Sequence, residues 1–272
     1  MPRRLGLCLV VLVSVVAVPA VLAAGPAPFA AQGGAGVLSR DGGMRYLALR
    51  AGTSTLLEAQ DTRTGEVRHQ RTVRGVFGIP ILTYNGFGEG LSRDGRTLVL
   101  QTMQIYGPTT FRLVDTRTFR TKQTIALRGA FSFDALSPRA TRLYLVQRVS
   151  QDDLFRYVVR AYDLRRHVLL RDRIADKAQA SWVMQGYPAT RVTSGTGRWV
   201  YTLYTNPGGY PFVHALDTVR GVAHCVGLPW TKADQAPLAK AILRLSGRSL
   251  VASMGGKTWL RIDTGTWHIS YP

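Results

Sequence analysis

Apolar residues in this chain come in short runs separated by turn-forming polar residues, and one order of run and turn recurs. "RYLALR", "TLVLQT", "RLYLVQ", "RWVYTLY" and "RSLVAS" are nearly continuous in apolar residues. Runs this short, bounded by turn signals, predict strands covered on both faces. Each follows a polar phrase: "LSRDGG" from Leu38, "LSRDGR" from Leu91, "LSPRAT" from Leu136, "TSGTGR" from Thr193 and "LSGR" from Leu245. A second phrase comes later in each unit, built on Asp61, Asp115, Asp163, Asp217 and Asp263. Asp and Ser close such turns by accepting nearby backbone N–H groups, and Gly takes the positive φ of a tight hairpin.

Each pair of phrases predicts a four-stranded antiparallel meander. In the first unit the strands are "GAGVLS", "RYLALR", "STLLEAQ" and "EVRHQRTV". The fourth strands, "EVRHQRTV" and "RTKQTIAL", carry the charge that suits an outer edge. Units of about fifty residues cannot bury their own faces and must stack on their neighbours. Five such sheets in a row form most economically an all-β propeller of five four-stranded blades, with no sizeable helix after the N-terminal segment.

Ser39–Gly42, Ser92–Gly95 and Asp61–Gly65 resemble the Ser-x-Asp-Gly and Asp-Thr-x-Thr-Gly turns of bacterial YVTN-type and TolB-like propellers. The resemblance covers roughly residues 34 to 272. The stretch from Tyr201 to Thr218 is also similar to stretches of uncharacterised secreted actinobacterial propellers. Relatives of these groups commonly have six or seven blades, whereas five units are present here. The resemblance implies a fold and carries over no catalytic residues.

The N-terminus changes the expected location. Arg3 and Arg4 precede a long apolar run that ends in small residues near Ala23 and Ala24, the pattern of an export signal. The expected organisation is a signal peptide over 1–24, a short linker over 25–33 and the propeller over 34–272, in a secreted or envelope-associated protein. Retention of the apolar run as an anchor is the alternative, and the one route to a membrane. Cys8 lies in the leader, so the mature chain holds Cys225 alone and forms no intrachain disulfide. Its apolar surroundings predict a buried, inert thiol.

The net charge of +19, or +17 without Arg3 and Arg4, would attract anionic polymers and surfaces. The excess is spread along the chain, however, and 30 of the 35 basic residues are Arg. No nucleic-acid motif accompanies it, so no specific nucleic-acid partner is expected.

In a meander blade the two regular turns share one face, and the irregular connections share the other. Loops grouped on a rigid scaffold are the usual place for binding residues. Their aromatic residues Tyr84, Phe87, Tyr106, Trp182, Tyr187, Tyr204 and Tyr210 are the candidate ligand-binding set, with Phe77 and Trp230 nearby in sequence. Three positions before the repeated Ser lie Glu89, Asp134 and Arg191, at matching places on consecutive blades. Two carboxylates so placed could divide acid and base work, as in glycosidases, with Asp152, Asp153, Asp172, Asp176 or Asp234 as a third acid. The reading that structural networks favour is an inter-blade ion pair with Arg191. The five histidines form no spaced ligand motif, so neither metal nor cofactor is expected.

These features point to a binding module for an envelope or extracellular protein or glycopolymer. A hydrolase or lyase acting on sugars or lactones through the channel acids is one alternative. A surface protein that binds polyanions is the other.

Overall fold

The computed structural model describes residues 29–83, 88–150, 152–153, 155–179 and 183–272. The expected leader, residues 1–24, lies outside them. Five antiparallel sheets follow one another along the chain. Blade one is built from Val37–Leu38, Met44–Ala51, Ser54–Asp61 and Val67–Arg74. Blades four and five have the same four-stranded order, ending in Val222–Gly227 and Ile269–Ser270. Blades two and three each carry one extra strand. Strand makes up 56% of the described residues and helix 3%. The described helical pieces are the short 3-10 turns Lys177–Gln179 and Ala236–Lys240. The molecule is a β-propeller of five blades.

The repeated phrases work as hydrogen-bonded turns. Ser39, Ser92, Ser137 and Ser194 each accept, through Oγ, the backbone N–H five residues later, at 2.8–3.0 Å. In all five blades the turn aspartate accepts the N–H groups two and three residues on, as Asp61 does from Arg63 and Thr64 at 3.0 Å. Four residues past each aspartate the backbone takes positive φ. Gly65 and Gly221 fit that demand, whereas Phe119 (φ 50°), His167 (φ 56°) and Trp267 (φ 62°) adopt it despite their side chains. Packing compensates: Phe119 stacks on His69 of blade one at 4.9 Å, and Trp267 lies 4.5 Å from His224 and 5.7 Å from Trp199 of blade four.

Two strands of blade two depart from the sequence reading. Phe77–Ile81, expected within an irregular connection, is the inner strand of blade two. Phe29–Ala31, expected to be linker, pairs antiparallel with it, Phe29 opposite Ile81 and Ala31 opposite Ile79. Gly78 and Pro80 hide this strand from a propensity reading, yet both fit. A Cβ on Gly78 would stand 2.6 Å from the Ala31 carbonyl oxygen, so glycine permits the close approach.

Junctions between blades follow one rule. Residues two before each turn aspartate face the next blade, and residues one before it face the previous blade. Ala59, Leu113, Ala161 and Ala215 on the forward side are all at most 4% exposed. Val114, Tyr162, Leu216 and Ile262 on the backward side are at most 8% exposed. Four hydrophobic clusters accordingly join blades one to two, two to three, three to four and four to five. Among the described residues none joins five to one. There the forward position is Arg261, exposed, and the backward position is Gln60, which pairs with Arg45. At this seam the two matching positions are therefore polar, as end positions of a repeat array often are.

Candidate functional site

Glu89, Asp134 and Arg191 meet. Asp134 sits at an irregularity of the inner strand of blade three, between Phe133 and Ala135. Arg191 lies on the inner strand of blade four, opposite Thr202. Glu89 follows the inner strand of blade two, held by its N–H to the Pro80 carbonyl at 2.9 Å. Arg191 Nη2 donates to Asp134 Oδ1 at 2.7 Å and Nη1 to the Asp134 carbonyl at 2.7 Å, while Nε donates to Thr202 Oγ1 at 3.1 Å. Glu89 Oε2 stands 3.7 Å from Nη1. The Arg191 and Asp134 side chains are 5% and 4% exposed, against 32% for Glu89. One guanidinium thus braces three consecutive blades.

The brace is electrostatically unequal. Asp134 has a bonded ion-pair geometry, although its Oδ2 is buried without a hydrogen-bond partner. Burial raises the Glu89 carboxyl above its ordinary range, Arg191 opposes that shift and Asp134 adds to it. Beside this group, burial pushes the Tyr204 phenol well up and the His214 imidazole down to about 4. His214 is 2% exposed, and its Nδ1 lies 3.5 Å from Cys225 Sγ. The Cys225 thiol, partly buried, is pushed up to about 12, first by burial and then by Asp176, which favours its protonated form at neutral pH.

Three of the other candidate acids have places of their own. Asp176 accepts the Cys225 N–H at 2.9 Å and faces His224 Nδ1 at 2.8 Å. Asp153 caps the Phe155 N–H at 3.0 Å, and Asp172 lies on the outer strand Val168–Arg173. Among the described residues no group of three or more His, Cys, Asp and Glu could hold a metal ion.

The loop aromatics divide. Tyr106 and Tyr210 are 55% and 69% exposed, on the connections between second and third strands of blades two and four. Tyr187 is half-buried, its ring 4.2 Å from that of Phe155. Tyr204, read as a loop residue, belongs to the strand Trp199–Thr205; it is 3% exposed and stacked on Phe212 at 5.1 Å. Phe77 is likewise core, at 3% exposure. Tyr84, Phe87 and Trp182 lie outside the described residues.

A cavity of about 410 Å³ opens on this loop face. Tyr187, Thr205, Pro207, Ala233, Asp234, Gln235, Ala236 and Ala239 line it. Gln235, 7% exposed, fixes its wall: Oε1 accepts the Asn206 N–H at 2.7 Å, and Nε2 donates to the carbonyls of Asn206 at 3.0 Å and Gly209 at 2.8 Å. The sequence marked Tyr187 and Asp234 separately. Nothing local marked Gln235, whose role depends on a loop 26 residues away.

The sequence matches no family model and no curated protein. Solved structures do resemble the fold. A functionally unknown protein from Desulfotomaculum acetoxidans DSM 771 superposes with a TM-score of 0.51 at 10% identity, covering 87% of this chain and 67% of its own. The β-propeller domain of Cps50 (Swd1) from Myceliophteria thermophila gives 0.48 at 14% identity, covering 83% and 65%. TolB from Acinetobacter baumannii gives 0.46 at 12%, covering 86% of this chain and 52% of TolB. Identities this low speak to fold alone.

Proposed function

We propose that the protein is an exported propeller that acts as a binding module, presenting its irregular loop face to an envelope or extracellular protein or glycopolymer. The observation that carries this reading is the engagement of the channel acids: Asp134 is locked to a 5% exposed Arg191, while exposed aromatic side chains are left on the loops. Exposed tyrosines on a rigid frame bury large area on contact at low entropic cost. The leader-like sequence of residues 1–24 supports export. Among the described residues no helix is long and apolar enough to cross a membrane.

The test is recovery of a partner from the producing cell's envelope fraction by the purified protein and by Tyr106→Ala and Tyr210→Ala variants. The reading expects a discrete partner whose recovery falls at least fivefold in one or both variants. Equal recovery by all three proteins would contradict it.

A further inference from the structure

The cavity on the loop face joins three features that need not coincide. Its wall carries the Tyr187 ring, backed by Phe155 at 4.2 Å. Its lining is largely apolar, with Pro207, Ala233 and Ala239. It also includes Asp234, an exposed carboxylate in a chain where basic residues outnumber acidic ones 35 to 16. Asp234 Oδ1 accepts the Ala236 N–H at 2.8 Å, which fixes the side chain and leaves the second oxygen available. Lys232 and Lys240 flank the same connection, yet among the described residues neither forms an ion pair with Asp234.

An aromatic residue, an apolar lining and one carboxylate without an ion-pair partner among the described residues suit a ligand with an apolar body and a cationic head. The ring attracts the cation through its quadrupole, the methyl groups cover its carbons, and the carboxylate neutralises its charge. A volume of about 410 Å³ lies within the range of small-ligand sites. One wall is formed in advance, because the Gln235 side chain is held by three hydrogen bonds to the backbone of Asn206 and Gly209. We infer that this cavity binds an organic ammonium group, either the lysine side chain of a partner or a free amine. The inference rests on the loop face being the binding face, and it assigns that face a specific anchor.

Titration calorimetry with phenethylammonium, and with its neutral isostere 2-phenylethanol, tests it on the full mature protein. The expected result is saturable binding of the ammonium at least fivefold tighter than of the alcohol. Asp234→Asn should abolish that preference while leaving affinity for the alcohol within twofold, and Tyr187→Leu should weaken the ammonium at least threefold. Circular dichroism of both variants confirms the fold, and Asp234, being exposed, is replaceable without loss of structure. A lysine-containing peptide, compared with its norleucine counterpart, separates the two sources: the lysine peptide binds tighter than the free amine only if a partner side chain is the ligand. Equal affinity for ammonium and alcohol, or an Asp234→Asn variant that keeps the preference, overturns the inference. If that happens while the Tyr106 and Tyr210 variants still lose the envelope partner, the binding face stands and only the anchor falls.

Discussion

Tyr144 donates its phenol hydrogen to the carbonyl oxygen of Thr218 at 2.9 Å, tying the core of blade three to the aspartate turn of blade four. The same two positions meet at other junctions, where Tyr46 faces Thr116 and Tyr201 faces Thr264. Between blades two and three both are apolar, Val99 and Leu164, and share one hydrophobic cluster. Polar with polar, apolar with apolar: the pair is matched each time. Tyr144 is fully buried, so Tyr144→Phe strands the Thr218 carbonyl and should cost about 1–2 kcal/mol. A lower urea midpoint with an unchanged m-value would show it.

His214 should make the fold acid-sensitive. Its imidazole, buried and held to about 4, is neutral in the folded state, whereas the unfolded side chain titrates near 6.5. Between those values the unfolded state binds more protons. The stability His214 contributes is therefore present above about pH 6.5 and is lost as pH falls toward 4, on the order of 3 kcal/mol. Urea unfolding at pH 7 and pH 5 should show a larger loss for the native protein than for His214→Gln. Equal losses would place His214 in a wetter environment.

The polar seam predicts that one substitution has opposite consequences at equivalent positions. Ala215 and Arg261 both stand two residues before a turn aspartate, but Ala215 is fully buried against blade five and Arg261 is exposed. Ala215→Arg forces an unpaired charge into a packed junction and should prevent stable folding. Arg261→Ala should change stability by no more than about 0.5 kcal/mol. A large loss in Arg261→Ala would mean that blade five packs on blade one through that residue.

Much of this fold was legible because its turns are local. The Ser and Asp phrases specify hydrogen bonds between residues two to five apart, and four of the five serine phrases and all five aspartate phrases correspond to such bonded turns in the structure. The convergence of Glu89, Asp134 and Arg191 was legible too, since the repeat fixes equivalent positions on successive blades. Features that depend on distant chain were not. The strand Phe77–Ile81 contains Gly78 and Pro80 and is recognisable only once Phe29–Ala31 lies beside it. Tyr204 reads as a loop residue because it opens the phrase "YTNPGGY", yet its ring lies in the core. The seam was written in the sequence at Gln60 and Arg261, but it becomes visible only when all five aspartate phrases are aligned on their preceding residues.

Arg191 braces the blades through two unequal carboxylates. Glu89 and Asp134 should not contribute alike. Glu89 is the looser partner at 3.7 Å, and its carboxyl is raised by burial. Over the window from its unfolded value near 4.5 up to its folded value, the native state holds the extra proton. Its effect on stability is thus most favourable below that window and declines as pH rises through it. Glu89→Gln removes this decline and should cost less at neutral pH than Asp134→Asn.

Thermal unfolding of Asp134→Asn at pH 7, with Glu89→Gln alongside, is the most direct measurement. Removing the carboxylate 2.7 Å from Nη2 leaves a 5% exposed guanidinium with Glu89, 3.7 Å away, as its remaining carboxylate among the described residues, a loss of about 3 kcal/mol. For a domain of this size that lowers the Tm of Asp134→Asn by roughly 6–12 °C. An unchanged or raised Tm in Asp134→Asn would contradict the brace and mark the two acids as gathered for chemistry.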